Sequence, residues 1–326
     1  MHEEPAHAGA TQDLTTGALT QAAAAVFMVR PANFAWNVET QASNRFQRED
    51  PALAGDANDR ACREFDALAR NLRENGVAVH AVADEAMPVR PDAVFPNNWV
   101  SLHADGTVVL YPMLAPNRRL ERRPELVASL VERGGFRVER LLDLTHHERH
   151  GRFLEGTGSI VFDHVARVAY ACLSPRTHRE PLTELCAELG YTPCTFAAVD
   201  AAGVPVYHTN VLLAIGTRQA VIAAEAIEGA DRARVLGGLR DSGRALETID
   251  AAQVARFAGN VLELRATDGA RVLVLSAAAA EAFGPAALDR MRGRTDRIVV
   301  TAVPTIEALG GGSVRCMLAE VFLPRQ

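Results

Sequence analysis

The sequence predicts an α/β fold in which five ββαβ units form a closed ring. Three observations lead to this prediction. The order strand, turn, strand, helix, strand recurs with a period of roughly 50–60 residues, which is typical of repeated supersecondary units. One copy is divided between the two ends of the chain, so the ends must meet. An asparagine, glycine or cysteine also stands at the start of the first strand of each copy.

Four copies are continuous in the sequence and are identified by strand alternation and helical periodicity. The first has strands over 98–103, 107–111 and 136–142 and a helix over 124–132. The second has strands over 159–162, 167–172 and 192–198 and a helix over 180–189. The third has strands over 210–215, 219–223 and 246–249 and a helix over 231–240. The fourth has strands over 260–265, 271–276 and 297–302 and a helix over 279–291.

The fifth copy combines the two ends of the chain. Its strands are expected over 316–323, 26–30 and 77–82 and its helix over 57–74. In a closed ring the starts of the first strands converge on the axis, so residues that are distant in sequence share one pocket. These positions are Asn98, Gly158, Asn210, Asn260 and Cys316.

The first 21 residues are polar and rich in alanine, which predicts a flexible tail before a single domain over 22–326. This start has neither the basic residues nor the apolar stretch of a signal peptide. No apolar run approaches the roughly 20 residues of a membrane span. The five cysteines are scattered and do not indicate a disulfide framework, which fits a reducing cytoplasm.

Composition excludes several functions. With 326 residues, 48% of them hydrophobic, the chain can bury a large core. A net charge of −6 argues against nucleic acid or an anionic membrane as the main partner. The chain contains no lysine, which excludes Schiff-base chemistry, a pyridoxal phosphate anchor and a Walker-type loop. Its 34 basic side chains are all arginine, a residue suited to bidentate recognition of carboxylates.

Cys316 follows the glycine run Gly310-Gly-Gly312 and precedes an apolar, strand-like segment. Glycines permit positive φ and a close approach of ligand, so we expect this thiol to be presented rather than buried. The adjacent Arg315 favours the thiolate, which is the nucleophilic form. An inert buried cysteine is the alternative.

Three further motifs stand at places equivalent to the Cys316 loop: Asp92-Ala-Val-Phe-Pro-Asn-Asn98, Glu155-Gly-Thr-Gly158 and Tyr207-His-Thr-Asn210. A thiol, an imidazole and a carboxylate on one axis are the components of nucleophilic catalysis with proton transfer. In combination the motifs resemble the guanidino-group-modifying, or pentein, superfamily, which includes arginine deiminase, dimethylarginine dimethylaminohydrolase and amidinotransferases. The resemblance covers nearly the whole chain after the tail.

The resemblance implies a five-bladed pseudo-fivefold propeller that forms one catalytic domain, with neither a metal nor an organic cofactor. It implies Cys316 as nucleophile, His208 as general acid and base, and Glu155 as the carboxylate that works with this histidine. It assigns substrate binding to Asp92, Asn98, Asn210, Arg118 and Arg176. The two arginines match those that hold the α-carboxylate of the substrate, and Arg119 is the alternative to Arg118.

The departures from the family pattern concern the substrate, a small amino acid. Asn98 and Asn210 stand where relatives carry acids, and a buried guanidinium needs such acids. An amide both donates and accepts hydrogen bonds, as a neutral ureido group requires. The sequence therefore resembles the citrulline hydrolase branch, which implies cleavage to ornithine, ammonia and carbon dioxide through an S-carbamoyl enzyme. An arginine deiminase-like or dimethylarginine dimethylaminohydrolase-like guanidino hydrolase, or a non-catalytic binding module, is the alternative, and a homo-oligomer is possible.

Two polar features receive structural interpretations. The run His146-His-Glu-Arg-His150 lacks the H-E-x-x-H order and lies between two units, so it predicts a solvated loop rather than a metal site. Asn260 shares the axial position of the other units, and we expect it to support the backbone.

Overall fold

The computed structural model describes residues 20–326. Its strands are β1 (Ala25–Arg30), β2 (Ala78–Ala83), β3 (Val100–Leu102), β4 (Thr107–Leu110), β5 (Arg140–Asp143), β6 (Ile160–Asp163), β7 (Val168–Cys172), β8 (Thr192–Phe196), β9 (Leu213–Ile215), β10 (Gln219–Ile222), β11 (Ala245–Thr248), β12 (Leu262–Arg265), β13 (Arg271–Ser276), β14 (Arg297–Thr301) and β15 (Ala319–Val321). Its α-helices are α1 (Val38–Gln41), α2 (Pro51–Ala54), α3 (Ala57–Glu74), α4 (Pro124–Gly134), α5 (Gly156–Ser159), α6 (Arg179–Leu189), α7 (Gly229–Asp241), α8 (Ala251–Val254) and α9 (Ala277–Arg292), the last interrupted at Gly284.

The strands repeat one pairing scheme. Within each unit the first strand is antiparallel to the second, and the second is parallel to the third after a helical crossover. The units are β3-β4-α4-β5, β6-β7-α6-β8, β9-β10-α7-β11 and β12-β13-α9-β14. A parallel pair requires such a long crossover, whereas the antiparallel pair is joined by a short turn. The ββαβ order predicted from the sequence is therefore present.

The unit divided between the chain ends is also present. β15 pairs with β1 in antiparallel register, with Val321 opposite Ala25, and β1 pairs with β2 in parallel register after α3. Hydrogen bonds thus join the two ends of the described chain. α3 buries one stripe of small and apolar residues, at Ala57, Ala61, Phe65, Leu68 and Leu72. This spacing of three to four residues places them on one face of the helix.

Four mixed sheets result from this pairing. Three units form separate three-stranded sheets, whereas the fifth and first units merge into the six-stranded order β2-β1-β15-β3-β4-β5. The merger depends on the parallel pairing of β15 with β3. Within residues 20–326 the other units are not joined by strand hydrogen bonds, and no sheet closes into a barrel. No helix in this part of the chain is long and apolar enough to cross a membrane.

The hydrophobic core consists of four clusters, and each one joins neighbouring units. Phe27 and Trp99 pack edge to face and connect the fifth unit with the first. Val109 and Leu185 lie in the cluster between the first and second units. The largest cluster spans the second, third and fourth units, and the last one connects the fourth with the fifth.

The predicted tail over 1–21 falls mostly outside the described residues. Its last residue, Gln21, is buried, and its side-chain amide donates to the carbonyl oxygens of Phe162 and Ile215. Gln21 therefore belongs to the folded part, because these bonds tie it to two different units.

Candidate active site

Short turns at the starts of the first strands meet at one place. The 3₁₀ turns Pro96–Asn98, Thr209–Val211 and Val314–Met317 and the single-turn helix α5 contact one another. They surround a small, narrow cavity. Its lining residues include Asp92, Asn98, Arg118, Arg176, His208 and Cys316. Six of the eight predicted site residues therefore line one cavity, and the other two, Glu155 and Asn210, contact this lining directly.

Cys316 is buried, contrary to the expectation that the glycine run would present it. The residue is only 5% exposed and lies in a 3₁₀ turn before β15, where its N–H donates to the carbonyl of Ser313. The glycines serve close packing instead. A Cβ at Gly312 would lie 2.9 Å from the Phe95 ring and 3.3 Å from the Cβ of Cys316. Because Cys316 lines the cavity, a small molecule bound there could contact the thiol.

Two asparagine amides donate to the Cys316 sulfur. Nδ2 of Asn260 lies 3.2 Å from Sγ and Nδ2 of Asn210 lies 3.5 Å from it. The orientation of the Asn260 amide is fixed, because its Oδ1 accepts from the backbone N–H of Arg315. Arg315, the cation expected beside the thiol, instead forms an ion pair with Glu320. The sulfur therefore meets two N–H donors where the sequence predicted a positive charge.

Asn260 was assigned only backbone support from the sequence, and its contact with the thiol was missed. The signal that could have found it was its position, because it begins the fourth unit where Asn210 begins the third. The backbone role is also present, through the bond from Arg315.

His208 and Glu155 form a buried pair. Nε2 of His208 lies 2.9 Å from Oε2 of Glu155, whose other oxygen accepts from the N–H of Leu114. Burial opposes ionisation of Glu155, but Arg176, His208 and Arg118 together hold its pKa well below the usual range. An ionised carboxylate only accepts hydrogen bonds, so Nε2 carries the proton and Nδ1 is the basic nitrogen.

Burial lowers the pKa of His208 from 6.5 to about 4, although Glu155 partly opposes this shift. The imidazole is therefore neutral at pH 7, and its Nδ1 can accept a proton from a group in the cavity that His208 and Cys316 both line. This arrangement is that of a general base oriented by a carboxylate.

Because Gly158 has no side chain, the side chains of His208 and Asn98 can lie directly against it. A Cβ at this position would be 2.7 Å from Nδ1 and Cε1 of His208 and in collision with Nδ2 of Asn98. The φ of Gly158 is not positive, so the requirement for glycine is one of space rather than backbone strain.

Arg118 resolves the choice between two neighbouring arginines. Its side chain is 3% exposed and lines the cavity, whereas that of Arg119 is 32% exposed and pairs with Glu148. Arg118 donates to both carboxylate oxygens of Glu121 at 2.9 Å and to Oδ1 of Asn98 at 3.0 Å. Glu121 was missed in the sequence, although an acid three residues after an arginine is a recognisable helical pair.

The bond from Arg118 fixes the amide of Asn98. A guanidinium only donates, so the oxygen of Asn98 must face it. Nδ2 therefore lies on the other side and has no hydrogen-bond partner among residues 20–326. Asp92 behaves in a complementary way. Its Oδ2 accepts from Nδ2 of Asn37 at 2.7 Å, and its buried Oδ1 has no partner in the same part of the chain.

Arg176 is engaged by protein groups. Its guanidinium donates to Oγ of Ser43 at 2.6 Å, to the carbonyl of Thr40 at 3.2 Å and to Glu155 at 3.3 Å. It also lies 5.0 Å from the centre of the Tyr207 ring. Arg176 thus connects the segment between β1 and α3, which contains Ser43, to the carboxylate of Glu155. A role in holding a substrate carboxylate remains a prediction for this residue and for Arg118.

The histidine run forms a 3₁₀ helix, Thr145–His150, in which His147 is buried. The expected solvated loop is therefore only partly correct. Among the described residues, one group of three could hold a metal ion, namely His146, His147 and Glu184, and none of the three lines the cavity.

A sequence profile of the family described as "N,N dimethylarginine dimethylhydrolase, eukaryotic" matches residues 30–323. The chain belongs to this family. A search of curated protein sequences returned no match.

Solved structures share the fold. The N-terminal domain of ArgZ, an arginine dihydrolase from the ornithine–ammonia cycle in cyanobacteria, bound to substrate as a cysteine-to-serine variant, is 16% identical. The match covers 92% of this chain and 98% of that one, with a TM-score of 0.72. Unliganded AgrE is 18% identical over 93% of this chain and 40% of its own, with a TM-score of 0.71.

A dimethylarginine dimethylaminohydrolase carrying a histidine-to-glycine substitution and an S-methyl-L-thiocitrulline adduct is 16% identical. The match covers 90% of this chain and 98% of that one, with a TM-score of 0.59. The present chain spans about 41% of full-length ArgZ. These likenesses place the fold among pentein structures.

We predict that Gly158→Ala lowers kcat/KM by about 100-fold, because the added methyl displaces His208 and misplacement near 1 Å has this order of effect. Steady-state kinetics measure it. Gly237→Ala is the matched control, since a Cβ there meets nothing within 4 Å and α7 gains a better helix former. Wild-type kinetics in Gly158→Ala would contradict the assigned packing.

We predict that Asn260→Ala slows alkylation of Cys316 by iodoacetamide at neutral pH by about tenfold or more. Loss of a hydrogen bond to a charged group usually changes a rate or an equilibrium by this factor. Mass spectrometry of the Cys316 peptide measures the rate. Asn260→Asp separates two roles, because it keeps an acceptor for Arg315 N–H but brings a negative charge to the sulfur. Recovery of the rate in Asn260→Asp would show that only the backbone bond matters.

We predict that kcat/KM falls on the acid side near pH 4 rather than near 6.5, because catalysis needs neutral His208. The same pKa shift makes the stability of the fold depend on pH. A histidine with a lowered folded pKa stabilises the fold above pH 6.5, and this contribution is lost as the pH falls towards 4. The rates are therefore measured at each pH, and circular dichroism at the same pH values shows whether the protein is still folded. An acid limb near 6.5 with the fold intact would refute the assignment.

Proposed function

We propose that the protein hydrolyses the ureido group of L-citrulline to ornithine, ammonia and carbon dioxide. The observation that favours this substrate concerns Asn98, which lines the cavity: its oxygen is held by Arg118, and its donor Nδ2 has no partner in the described chain. A ureido carbonyl accepts from such a donor. A guanidinium has only donors and would leave the amide buried without a partner, at a cost of about 1–3 kcal/mol.

The remaining polar atoms complement the N–H groups of the same substrate. Oδ1 of Asp92 and Oδ1 of Asn210 are buried acceptors without partners among residues 20–326. A ureido group offers N–H donors on both sides of its carbonyl, so one donor and two acceptors in the site match its pattern.

Catalysis begins with transfer of the thiol proton from Cys316 to Nδ1 of His208, so that the sulfur attacks the ureido carbon. The carbonyl oxygen gains negative charge and is stabilised by Nδ2 of Asn98. His208 then gives its proton to the departing δ-amine of ornithine, and Glu155 stabilises the imidazolium during this transfer. An S-carbamoyl enzyme remains.

The second half uses the same groups. Neutral His208 takes a proton from water, and the hydroxide attacks the S-carbamoyl carbon. The thiolate of Cys316 leaves, held by the amides of Asn210 and Asn260, and takes back its proton. The carbamate released decomposes to ammonia and carbon dioxide, which balances the reaction with one water per substrate.

A guanidino substrate is the second candidate, and Asp92 favours it. When all three are ionised, the carboxyls of Asp92, Glu121 and Glu155 outnumber the guanidinium groups of Arg118 and Arg176 by one in the buried site. Burial raises the pKa of Asp92 and raises that of Glu121 to about 7, so full ionisation is opposed unless a further cation is present. A cationic arginine or methylated arginine would compensate this charge. Family membership points in the same direction.

We also infer that the five units form a pseudo-fivefold ring within one catalytic domain over 22–326. The core clusters support this, since they connect the first unit to the second, the second through the fourth, the fourth to the fifth and the fifth to the first. The cytoplasmic location stays a prediction.

We predict that the purified protein converts citrulline to equal amounts of ornithine and ammonia, and that Cys316→Ala abolishes this conversion. Citrulline, arginine and dimethylarginine are incubated separately, and ornithine, citrulline and ammonia are quantified by chromatography. Turnover of arginine to citrulline with citrulline untouched would refute citrulline as substrate. No turnover of any of the three would favour a non-catalytic binding module.

A second arm of this assay uses Asn98→Asp, which replaces the donor towards the substrate with an acceptor. We expect citrulline turnover to fall by about 100-fold, the usual effect of removing one oxyanion donor. Asn33→Asp is the control, since Asn33 is only half-buried and does not line the cavity. Undiminished citrulline turnover in Asn98→Asp would show that this amide is not the substrate donor.

A further inference from the structure

A cluster of three possible metal ligands lies outside the catalytic cavity. His146 and His147 come from the 3₁₀ helix between the first and second units, and Glu184 comes from α6, 37 residues further along the chain. Oε2 of Glu184 lies 2.8 Å from Nε2 of His147 and 3.4 Å from Nε2 of His146. The three ligand atoms all lie within 4.8 Å of one another.

The two histidines present the same ring nitrogen to the carboxylate. Nδ1 of His146 lies 3.3 Å from the carbonyl oxygen of Asp143 and donates to it, which leaves the lone pair of Nε2 free. Such a bond from the far nitrogen to a carbonyl is the usual support of a metal-binding histidine. Nδ1 of the buried His147 has no partner among the described residues, so its tautomer depends on what Nε2 meets.

The spacing suits a small tetrahedral ion. With zinc–ligand bonds of about 2.0–2.1 Å, ligand atoms in a tetrahedral site lie about 3.3 Å apart. The 3.4 Å separation of His146 and Glu184 already has this value, and the 2.8 Å hydrogen bond of His147 must open by about half an ångström. His146 is exposed, so the fourth position faces solvent and can be filled by water.

The two imidazole rings lie side by side. The centroids of His146 and His147 are 4.3 Å apart and their planes are inclined by 32°. A divalent cation binds imidazole through a ring nitrogen, and the carboxylate of Glu184 would partly neutralise its charge.

We propose that His146, His147 and Glu184 form a binding site for a divalent cation of the zinc type. Two imidazoles and one carboxylate match zinc, whereas magnesium and calcium prefer oxygen ligands throughout. The site is independent of the proposed citrulline chemistry, because none of the three residues touches the catalytic cavity.

The test is calorimetric titration of the full chain with zinc chloride, with any affinity tag removed. Cys316→Ala is used as background, because the thiol and His208 could themselves bind zinc. We expect one equivalent of zinc to bind, with proton release when Nε2 of His147 exchanges its proton for the metal. Magnesium titrated under the same conditions should give no heat of binding.

Variants on this background identify the ligands. His146→Ala and Glu184→Gln should each weaken zinc binding by about tenfold or more, as expected for the loss of a coordinating group. The matched controls are His150→Ala on the same 3₁₀ helix and Glu188→Gln on α6, which pairs with Arg140. Both controls should bind zinc like the parent.

Two results would overturn the proposal. One is an absence of zinc binding to the parent, which would leave an ordinary histidine–carboxylate hydrogen bond. The other is binding that His146→Ala and Glu184→Gln leave unchanged, or that the controls weaken equally. The exposed His146 carries the test rather than buried His147, and circular dichroism melting confirms that each variant is folded.

Discussion

The buried carboxylate of Glu155 is the charge around which the other groups of the candidate site are arranged. It receives Nε2–H of His208, a guanidinium N–H of Arg176 and the backbone N–H of Leu114. An ionised carboxylate without such partners would cost several kcal/mol to bury. The same bonds that stabilise this charge fix the tautomer of His208 and join the segment holding Ser43 to the site. Stability and catalytic geometry therefore depend on one network.

A second constraint comes from groups that can only donate. Arg118 and the backbone N–H of Arg315 each face the oxygen of an asparagine, Asn98 and Asn260 respectively. Both amides are thereby fixed in orientation: Nδ2 of Asn260 faces the sulfur of Cys316, and Nδ2 of Asn98 is left without a partner in the described chain. Neither amide can rotate without leaving two buried donors opposed, which costs about the energy of the lost hydrogen bonds.

The residues brought together from the sequence were found because the chain repeats. Asn98, Asn210 and Cys316 occupy equivalent positions in three units, and His208 lies two residues before Asn210, so one inference about convergence brings all four together. Groups that do not follow the repeat were missed. Glu121 lies in a turn outside the repeated strands, and Asn37 and Ser43 belong to the segment between β1 and α3, which has no periodic pattern.

Two expectations about individual side chains were wrong for a related reason. Arg315 is adjacent to Cys316 in sequence, but its guanidinium is turned to Glu320 and the carbonyl of Leu318. The glycine run before Cys316 does not expose the thiol. Instead it permits the Phe95 ring to pack against the glycines. Neighbourhood along the chain does not give the direction of a side chain, because successive residues of a 3₁₀ turn point to different sides.

The sequence by itself determined the ββαβ order, the joining of the two chain ends and the identity of the groups at the starts of the first strands. These follow from local periodicity, which each segment expresses through its own residues. Only the tertiary structure decided which nitrogen of each amide faces the site, which arginine is inside and which cluster of histidines meets a carboxylate. Those choices depend on hydrogen bonds between residues far apart in the chain, and a donor finds its acceptor only when the units are packed together.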